Sequence, residues 1–204
     1  MKKYELTSET KVINGVELHR IKALKSFGNI KEGDLGGWIE SEKNLSQDGD
    51  AWVGGNAKVC GNAWVGYNAR VDRDATVRGN ATVSGNAKVR GNATISGDTI
   101  VSGNATISGN ATINGDAVVC GNAKVRGKED FIVFKNWWSS GRYFTWTRSN
   151  NKWNVGCFYG SGEELIAKAY NDSEKSGREY ERVVNYVNDI IKEEDNENRN
   201  KCED

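Results

Sequence analysis

A branched aliphatic residue recurs every six positions through the middle of the chain without a slip. The thirteen positions are Val53, Val59, Val65, Val71, Val77, Val83, Val89, Ile95, Val101, Ile107, Ile113, Val119 and Val125. An alanine stands two residues before each, from Ala51 to Ala123, with Thr99 as the exception. Gly-Asn or Gly-Asp precedes most of these alanines, so the unit reads G-N-A-x-V-x. A fixed internal period indicates a stack of similar structural units.

Each part of the unit has a physical reason. Strand side chains alternate, so the alanine and the aliphatic residue point to the same side, and β-branching suits extended backbone. Gly and Asn tolerate positive φ and can turn a corner. Three such sides make an 18-residue triangular coil. The repeat then gives a little over four coils, and at about 4.8 Å per coil the prism is roughly 20 Å long.

The unbroken G-N-A-x-V-x register resembles the hexapeptide-repeat, left-handed β-helix family. The resemblance implies a mainly β fold, with a left-handed parallel β-helix over residues 51–127. The left hand comes from the resemblance, because periodicity alone does not set it. Each coil contacts only its neighbours, so both ends need caps.

Residues 1–50 are predicted to form the N-terminal cap. Asn14-Gly15 lies between two short apolar runs and predicts a β-hairpin with a type I′ turn. The segment from Gly33 to Ile39, followed by Asn44-Leu45-Ser46, is similar to the lead-in of hexapeptide-repeat proteins of bacteria and of phages or prophages, which often carry a transferase label. Leu45 lies eight residues before Val53, so we expect it to start an irregular first coil.

Residues 128–193 are predicted to form a small α+β module. Its expected strands are Phe131–Phe134, Tyr143–Thr147 and Trp153–Tyr159. Ser161 and Glu164 form a capping box that starts one helix, and an apolar stripe predicts a second over 177–192. The polar residues 194–204 are expected to be a disordered acidic tail.

Residues 18 apart should stack on three outer faces of the prism. The first face carries Trp52, Arg70, Lys88, Thr106 and Lys124 beside Gly54, Asp72, Arg90, Ser108 and Arg126. The second face carries Lys58, Thr76, Thr94 and Thr112 beside Cys60, Arg78, Ser96 and Asn114. The third face carries Trp64, Thr82, Ile100 and Val118 beside Gly66, Ser84, Ser102 and Cys120. Charge is therefore concentrated on the first face and absent from the third.

The third face is the predicted interface, because an uncharged and partly apolar surface favours burial. Its expected contact residues are Trp64, Thr82, Ile100, Val118 and Cys120. The covering surface is either another subunit or the C-terminal module. Family resemblance implies a homotrimer. Cys60 and Cys120 fall on different faces, which argues against a disulfide between them.

The first face is the predicted binding surface for an anionic small molecule or a host protein, since clustered Arg and Lys attract anions. Its candidate residues are Arg70, Lys88, Arg90, Lys124 and Arg126. The net charge is +4 for residues 51–127 and −3 for residues 128–204. Pairing of this face with the acidic C-terminal helix is therefore an alternative that the sequence leaves open.

Aromatic residues are dense in the C-terminal module. Trp137, Trp138 and Trp146 are candidates for recognition of a partner, because aromatic residues are enriched in binding sites. Packing between the sheet and the helices is the alternative explanation, and we expect only one or two of the aromatic side chains to be exposed.

Catalysis is the activity that the resemblance would suggest, since many left-handed β-helix proteins are acyltransferases. Those enzymes typically place a histidine base on the coils and extrude a loop over the site. The one histidine, His19, lies outside the repeat, and the thirteen units contain no insertion. No catalytic residue is therefore predicted. The four cysteines form no C-x-x-C pair, so no metal site or cofactor is expected either.

The remaining features bound the location and the function. MKKYELTSET lacks the apolar core of a signal peptide, no run is long enough to span a membrane, and the net charge is zero. These features predict a cytoplasmic protein, in the host cytoplasm if phage-encoded, with no membrane or specific DNA partner. The favoured hypothesis is a non-catalytic, oligomeric binding or assembly protein of phage type that inhibits host defence by binding a protein or sequestering a nucleotide signal. An acyltransferase and a structural phage component are the alternatives.

Overall fold

A computed structural model describes the backbone of residues 2–203 and the side chains of residues 2–196. The chain begins with an antiparallel hairpin of β1, Tyr4–Ile13, and β2, Val16–Ala23. Asn14 and Gly15 both have positive φ, at 51° and 80°, which confirms the predicted turn. Strand β3, Leu35–Ile39, pairs with β2 on one side and with the first coils of the solenoid on the other.

The repeat forms a parallel β-solenoid, as predicted. Its two-residue strands β4 to β16 are Trp52–Val53, Lys58–Val59, Trp64–Val65, Arg70–Val71, Thr76–Val77, Thr82–Val83, Lys88–Val89, Thr94–Ile95, Ile100–Val101, Thr106–Ile107, Thr112–Ile113, Val118–Val119 and Lys124–Val125. They stack into three parallel sheets with partners 18 residues apart. Sheet β4-β7-β10-β13-β16 carries the first face, and β6-β9-β12-β15 carries the third. Strands β5, β8, β11 and β14 carry the second face and continue the sheet of the hairpin.

The interior of the solenoid is a continuous column of small and branched side chains. Every repeat alanine and every repeat valine or isoleucine is buried, at 1% exposure or less. Thr99, the one exception to the alanine pattern, is also buried, and its hydroxyl donates a hydrogen bond to the carbonyl oxygen of Ser96 at 2.7 Å. Its polar atom is therefore satisfied inside an apolar core.

The corners are held by stacked side-chain amides in addition to their backbone shape. Asn68 donates to Asn86, and the same bond at 3.1 Å continues through Asn104 to Asn122. Aspartate takes part in another corner, where Asn80 donates to Asp98 at 2.7 Å. These ladders link consecutive coils at the positions where the chain turns.

The first coil is irregular, as the position of Leu45 predicts. Ile39 pairs with Val59, and Leu45 forms a parallel bridge with Val65. Ile39 and Leu45 are six residues apart, whereas Val53 follows Leu45 by eight. The two additional residues widen the corner between the third and first faces of this coil.

The N-terminal end of the solenoid exposes carbonyl oxygens, because each backbone N–H bonds forward to a carbonyl of the next coil. Residues of the hairpin supply donors to this end. The Lys3 ammonium donates to the carbonyls of Asp48, Gly49 and Ala51, at 3.4, 3.3 and 2.9 Å. The Tyr4 hydroxyl donates to the carbonyl of Leu45 at 2.6 Å. Residues 2–50 therefore cover this end of the solenoid and also supply hydrogen-bond donors to its free carbonyls.

Burial of Tyr4 predicts a pH dependence of stability. Desolvation, with a smaller contribution from the Glu42 carboxylate, raises the pKa of Tyr4 well above its usual value of 10.0. The folded chain then keeps this proton where the unfolded chain loses it, so the stabilisation is complete below about pH 10 and falls as the pH rises further.

Tyr4→Phe isolates this effect. At neutral pH we expect the variant to lose about 1–2 kcal/mol, because the Leu45 carbonyl loses its donor. The difference in unfolding free energy between wild type and variant should shrink above about pH 10, measured by urea unfolding from pH 7 to 11. A difference that stayed constant over this range would show that Tyr4 is not protected from ionisation.

The C-terminal module begins after a 3-10 turn at Lys128–Asp130. Its antiparallel sheet runs β17-β18-β19-β20, with strands Phe131–Lys135, Tyr143–Thr147, Lys152–Val155 and Phe158–Gly160. Helices α1, Gly162–Asp172, and α2, Glu174–Glu203, follow. Ser161 caps α1 through the predicted capping box, since its hydroxyl accepts from the Glu164 amide and the Glu164 carboxylate accepts from the Ser161 amide.

Two details of this module differ from the sequence-based expectation. The third predicted strand is two strands, because Gly156 adopts a positive φ of 59° and turns the chain back. The second helix continues from Glu174 to Glu203, where the sequence predicts a disordered tail over 194–204. That stretch contains no Gly or Pro to end a helix. Asp204 and the side chains from residue 197 onward lie outside the described part of the chain.

The module sits on the C-terminal end of the solenoid, where the last coil exposes backbone N–H groups. Side-chain oxygens accept these bonds: Thr145 from the Val118 amide at 2.9 Å, Ser149 from Lys124 at 2.7 Å and Asp130 from Arg126 at 2.6 Å. One side of its sheet packs on the solenoid through Phe131 and Val133. The two caps are therefore complementary. The N-terminal cap supplies hydrogen-bond donors to free carbonyls, and the C-terminal module supplies acceptors to free amides.

Candidate binding surfaces of the solenoid

The basic side chains of the first face form a four-cornered array. Lys88 lies on β10 and Arg90 directly follows that strand. Lys124 and Arg126 occupy the equivalent positions at β16, two coils later. The spacing is roughly 7 Å along a strand and roughly 10 Å between those two coils. All four side chains are exposed, and the hydroxyls of Thr106 and Ser108 lie in the row between them.

Arg70 is separate from this array. Its guanidinium donates to the Asn29 side chain of the N-terminal segment. Above it, Trp52 is buried and packs edge-to-face with Phe27, with ring centroids 5.5 Å apart. The N-terminal segment therefore covers the first coils of this face, and Arg70 is held by a neighbour while the four later residues stay exposed.

A further arginine, which the sequence pattern did not single out, lies beside the array. Arg73 is exposed and lines an open cleft with Arg90, Asn92 and Ser108. Its φ is 64°, in a corner column where the stacked residues Gly55, Gly91 and Gly109 also have positive φ. The replacement of a corner glycine by arginine was the signal in the sequence that could have identified it.

The alternative explanation for the basic face, an ion pair with α2, is not seen within the described side chains. Glu194 of α2 instead forms an ion pair, at 2.7 Å, with Arg148 in the turn that follows β18. Within residues 2–196, no carboxylate pairs with Lys88, Arg90, Lys124 or Arg126. Asp72 lies on the face itself, and Glu129 and Asp130 lie at its C-terminal edge, so these three acidic side chains are outnumbered by the four basic ones. The array therefore retains a net positive charge.

The third face is uncovered over most of its length. Ile100 is 41% exposed, and Trp64, Thr82 and Val118 are half-buried. The C-terminal module, one of the two predicted covers for this face, caps the end of the solenoid and leaves the earlier coils of the face open. Only the last coil is touched, where the Asn154 amide donates to the Cys120 sulfur at 3.2 Å.

The cysteines of the solenoid are thiols without a disulfide. Cys60 and Cys120 are free and lie on the second and third faces. Burial raises the pKa of each, above the usual 9.0. Both therefore remain protonated at neutral pH and are poor nucleophiles.

The three candidate tryptophans have different environments. Trp137 is 82% exposed, and Trp138 is half-buried against Phe144 and Tyr180. Trp146 is 1% exposed, and its indole N–H donates to the Asn151 side chain at 2.9 Å. The prediction of a recognition role is therefore wrong for Trp146, which packs in the core between the sheet and the helices. The alternation of side chains along the strand could not predict this burial, because the solenoid covers one side of the sheet and the helices cover the other.

His19 does not face a reactive arrangement. It is half-buried on β2, between Thr10 of β1 and Ile39 of β3. The tip of the hairpin instead places Ile13, Val16 and Leu18 over a small cleft on the second face that also includes Cys60. In the described chain, no group of three or more His, Cys, Asp or Glu side chains is arranged to hold a metal ion. Among the described helices, none contains an apolar stretch of the length that a membrane crossing requires.

Comparison with known proteins gives a match within the repeat. The family model described as YdcK Beta solenoid repeat matches residues 105–121, nearly one coil of the prism. No curated protein matches the chain. The match agrees with the observed coils, since both describe this stretch as a β-solenoid repeat.

Proposed function

We propose that this chain is a non-catalytic binding protein that takes an anionic partner on the first face of its solenoid. The observation that carries the proposal is the exposed array of Lys88, Arg90, Lys124 and Arg126. Arg and Lys bind phosphates through charge-assisted hydrogen bonds, and the regular coils hold the backbone positions of the four residues at a fixed spacing.

The geometry favours an anion with more than one charged group. The array is roughly 7 Å by 10 Å, wider than a single phosphate. Thr106 and Ser108 offer hydroxyl donors between the two basic rows, and Arg73 extends the site around the corner. A compact molecule with two or more phosphates would therefore contact several basic side chains at once.

The resemblance to phage and prophage proteins supports a sharper form of this proposal. In the cytoplasm of an infected host, the chain would inhibit defence by sequestering a nucleotide signal that carries several phosphates. Binding of a host protein through an acidic surface is the related form, because it would use the same basic array.

Calorimetric titration against a panel of cyclic oligonucleotides and linear nucleotide signals tests this form. We expect one member to bind wild type and to bind a Lys88→Gln/Arg90→Gln variant at least about tenfold more weakly, since two charged contacts are lost. A Lys168→Gln/Lys175→Gln variant is the matched control, because both residues are exposed lysines on the C-terminal module. The absence of heat across the panel would overturn the sequestration form.

Assembly through the third face is the second part of the proposal. The observation that favours it is the uncharged row from Trp64 to Val118, in which Ile100 is 41% exposed. Burial of this row against other copies removes apolar area from water. We propose a homotrimer, in agreement with the family resemblance.

The acyltransferase alternative has its own test, although no arrangement of side chains favours it. An acyltransferase would release free thiol from acetyl-CoA in the presence of an amine panel, and His19→Ala would abolish that release if His19 were the base. We expect no release from wild type. A third function, a structural phage component, would show itself as very large assemblies or as incorporation into virions.

A further inference from the structure

The corner between the third and first faces of the first regular coil carries two aromatic rings at right angles. Trp64 and Tyr67 have ring centroids 6.0 Å apart and an interplanar angle of 86°. They line a concave corner of about 320 Å³ together with Ser46, Asp48, Gly49 and Asn68. Tyr67 is 65% exposed, so its ring is not required for the core.

The backbone under Tyr67 is the unusual feature of this corner. Its φ is 58°, a left-handed value that bulky side chains rarely adopt. The stacked residues of the same column are all glycine with positive φ: Gly49, Gly85, Gly103 and Gly121. Glycine would adopt this turn without strain. The backbone therefore does not require a tyrosine at position 67, and we infer that its side chain has a role of its own.

The surroundings are arranged to present the two rings. A Cβ at Gly66 would clash with the benzo ring of Trp64, so this glycine lets the indole lie across the sheet. The opposite wall is the widened corner of the first coil, where the two additional residues lie. Its shape is fixed from behind by Lys3, whose buried ammonium bonds the carbonyls of Asp48 and Gly49.

The charge of the corner indicates the ligand. Its lining contains one carboxylate, that of exposed Asp48, and the nearby Lys3 ammonium is buried behind the wall and does not line the corner. Perpendicular aromatic rings with a nearby carboxylate attract quaternary ammonium groups, because the ring faces are electron-rich and the cation is weakly hydrated. The carboxylate disfavours phosphates, so this corner differs in chemistry from the basic array.

We propose that Trp64, Tyr67 and Asp48 bind a quaternary ammonium group. The rings contact the methyl groups of the cation, and the carboxylate balances its charge. The site is separate from the basic array. It requires that the proposed trimer contact is centred on Thr82, Ile100 and Val118 and leaves the Trp64 end of the third face open.

Titration with choline, followed by chemical shifts of the tryptophan indole N–H groups, tests the proposal. We expect saturable shifts of the Trp64 signal, assigned by its loss in Trp64→Phe. The uncharged isostere 3,3-dimethyl-1-butanol should bind about tenfold more weakly, because it keeps the shape and lacks the charge. A parallel titration with a trimethyllysine peptide distinguishes a free small molecule from a modified protein side chain.

Tyr67→Gly is the decisive variant, since it restores the residue found in the rest of the column. It should weaken choline binding at least about tenfold while the thermal midpoint stays the same or rises. Asp48→Asn should weaken binding without unfolding the chain, and Tyr186→Ala, which removes an exposed ring on α2, should bind choline as wild type does. Equal binding of choline and its isostere, or unchanged binding by Tyr67→Gly, would overturn the proposal. The absence of choline binding in wild type would overturn it as well. A change of oligomeric mass in Tyr67→Gly would then show that the corner is a contact between copies.

Discussion

Replacing Val89 with aspartate is expected to unfold the central coils of the solenoid. Val89 is fully buried on β10, and its coil packs on a neighbour at each side. An ionised carboxylate at this position would cost several kcal/mol for desolvation, in addition to about 1.5 kcal/mol or more for the lost valine. That sum is comparable with the whole stability of a typical domain, about 5–15 kcal/mol.

Lys88→Asp is the matched control for this prediction. The control places the same aspartate one residue earlier, on the outer side of the same strand, where the side chain is exposed. Its effect on stability should be within about 0.5 kcal/mol. Thermal unfolding followed by circular dichroism should therefore show a drop of at least about 10 °C for Val89→Asp and almost none for Lys88→Asp. Similar losses in the two variants would contradict the assignment of inward and outward sides.

Replacing Ile100 with glutamate is expected to dissociate the proposed trimer. Ile100 is the most exposed apolar side chain of the third face and lies near the middle of its length. A carboxylate there would have to be buried without a partner in every subunit, at a cost of several kcal/mol per interface. The fold of the subunit should be unaffected, because the side chain points outward from the solenoid.

Light scattering coupled to size-exclusion chromatography measures this effect. Wild type should have about three times the chain mass of 22.5 kDa, and Ile100→Glu should have the mass of one chain. Thr112→Glu, which adds the same charge at an exposed position of the second face, should remain a trimer. A monomeric wild type would eliminate the trimer and leave the third face exposed.

The solenoid could be predicted from the sequence because every unit shows the same six-residue pattern. Each repeat valine reports the inward side, and an interval of 18 residues is enough to place Lys88 beside Thr106 on the neighbouring coil. The spacing of eight residues between Leu45 and Val53, instead of six, also predicted the irregular first coil. The unusual corners at Tyr67 and Arg73 could also have been found in the sequence, because the residues 18 positions before and after each of them are glycine.

The docking of the C-terminal module could not be predicted from periodicity. It depends on individual side chains, such as Thr145 and Ser149, whose hydroxyl oxygens accept hydrogen bonds from the free backbone amides of the last coil. Nothing in their sequence neighbourhood distinguishes them from other polar residues of a strand or turn. The burial of Trp146 follows from the same cause, because the module's sheet is covered on one side by the solenoid and on the other by helices.

The binding role of the first face can be tested most directly with inorganic tripolyphosphate, a compact anion that carries several charges and can stand in for the natural partner. Its affinity is measured by calorimetry at 50 and 200 mM salt, for wild type and for a variant with glutamine at positions 88, 90, 124 and 126. Wild type should bind about 100-fold more tightly than the variant at the lower salt concentration, since four contacts of roughly 0.7 kcal/mol each are lost. The difference should narrow at the higher concentration, because salt screens exposed charges. Equal affinities for wild type and variant would contradict a binding site on the first face.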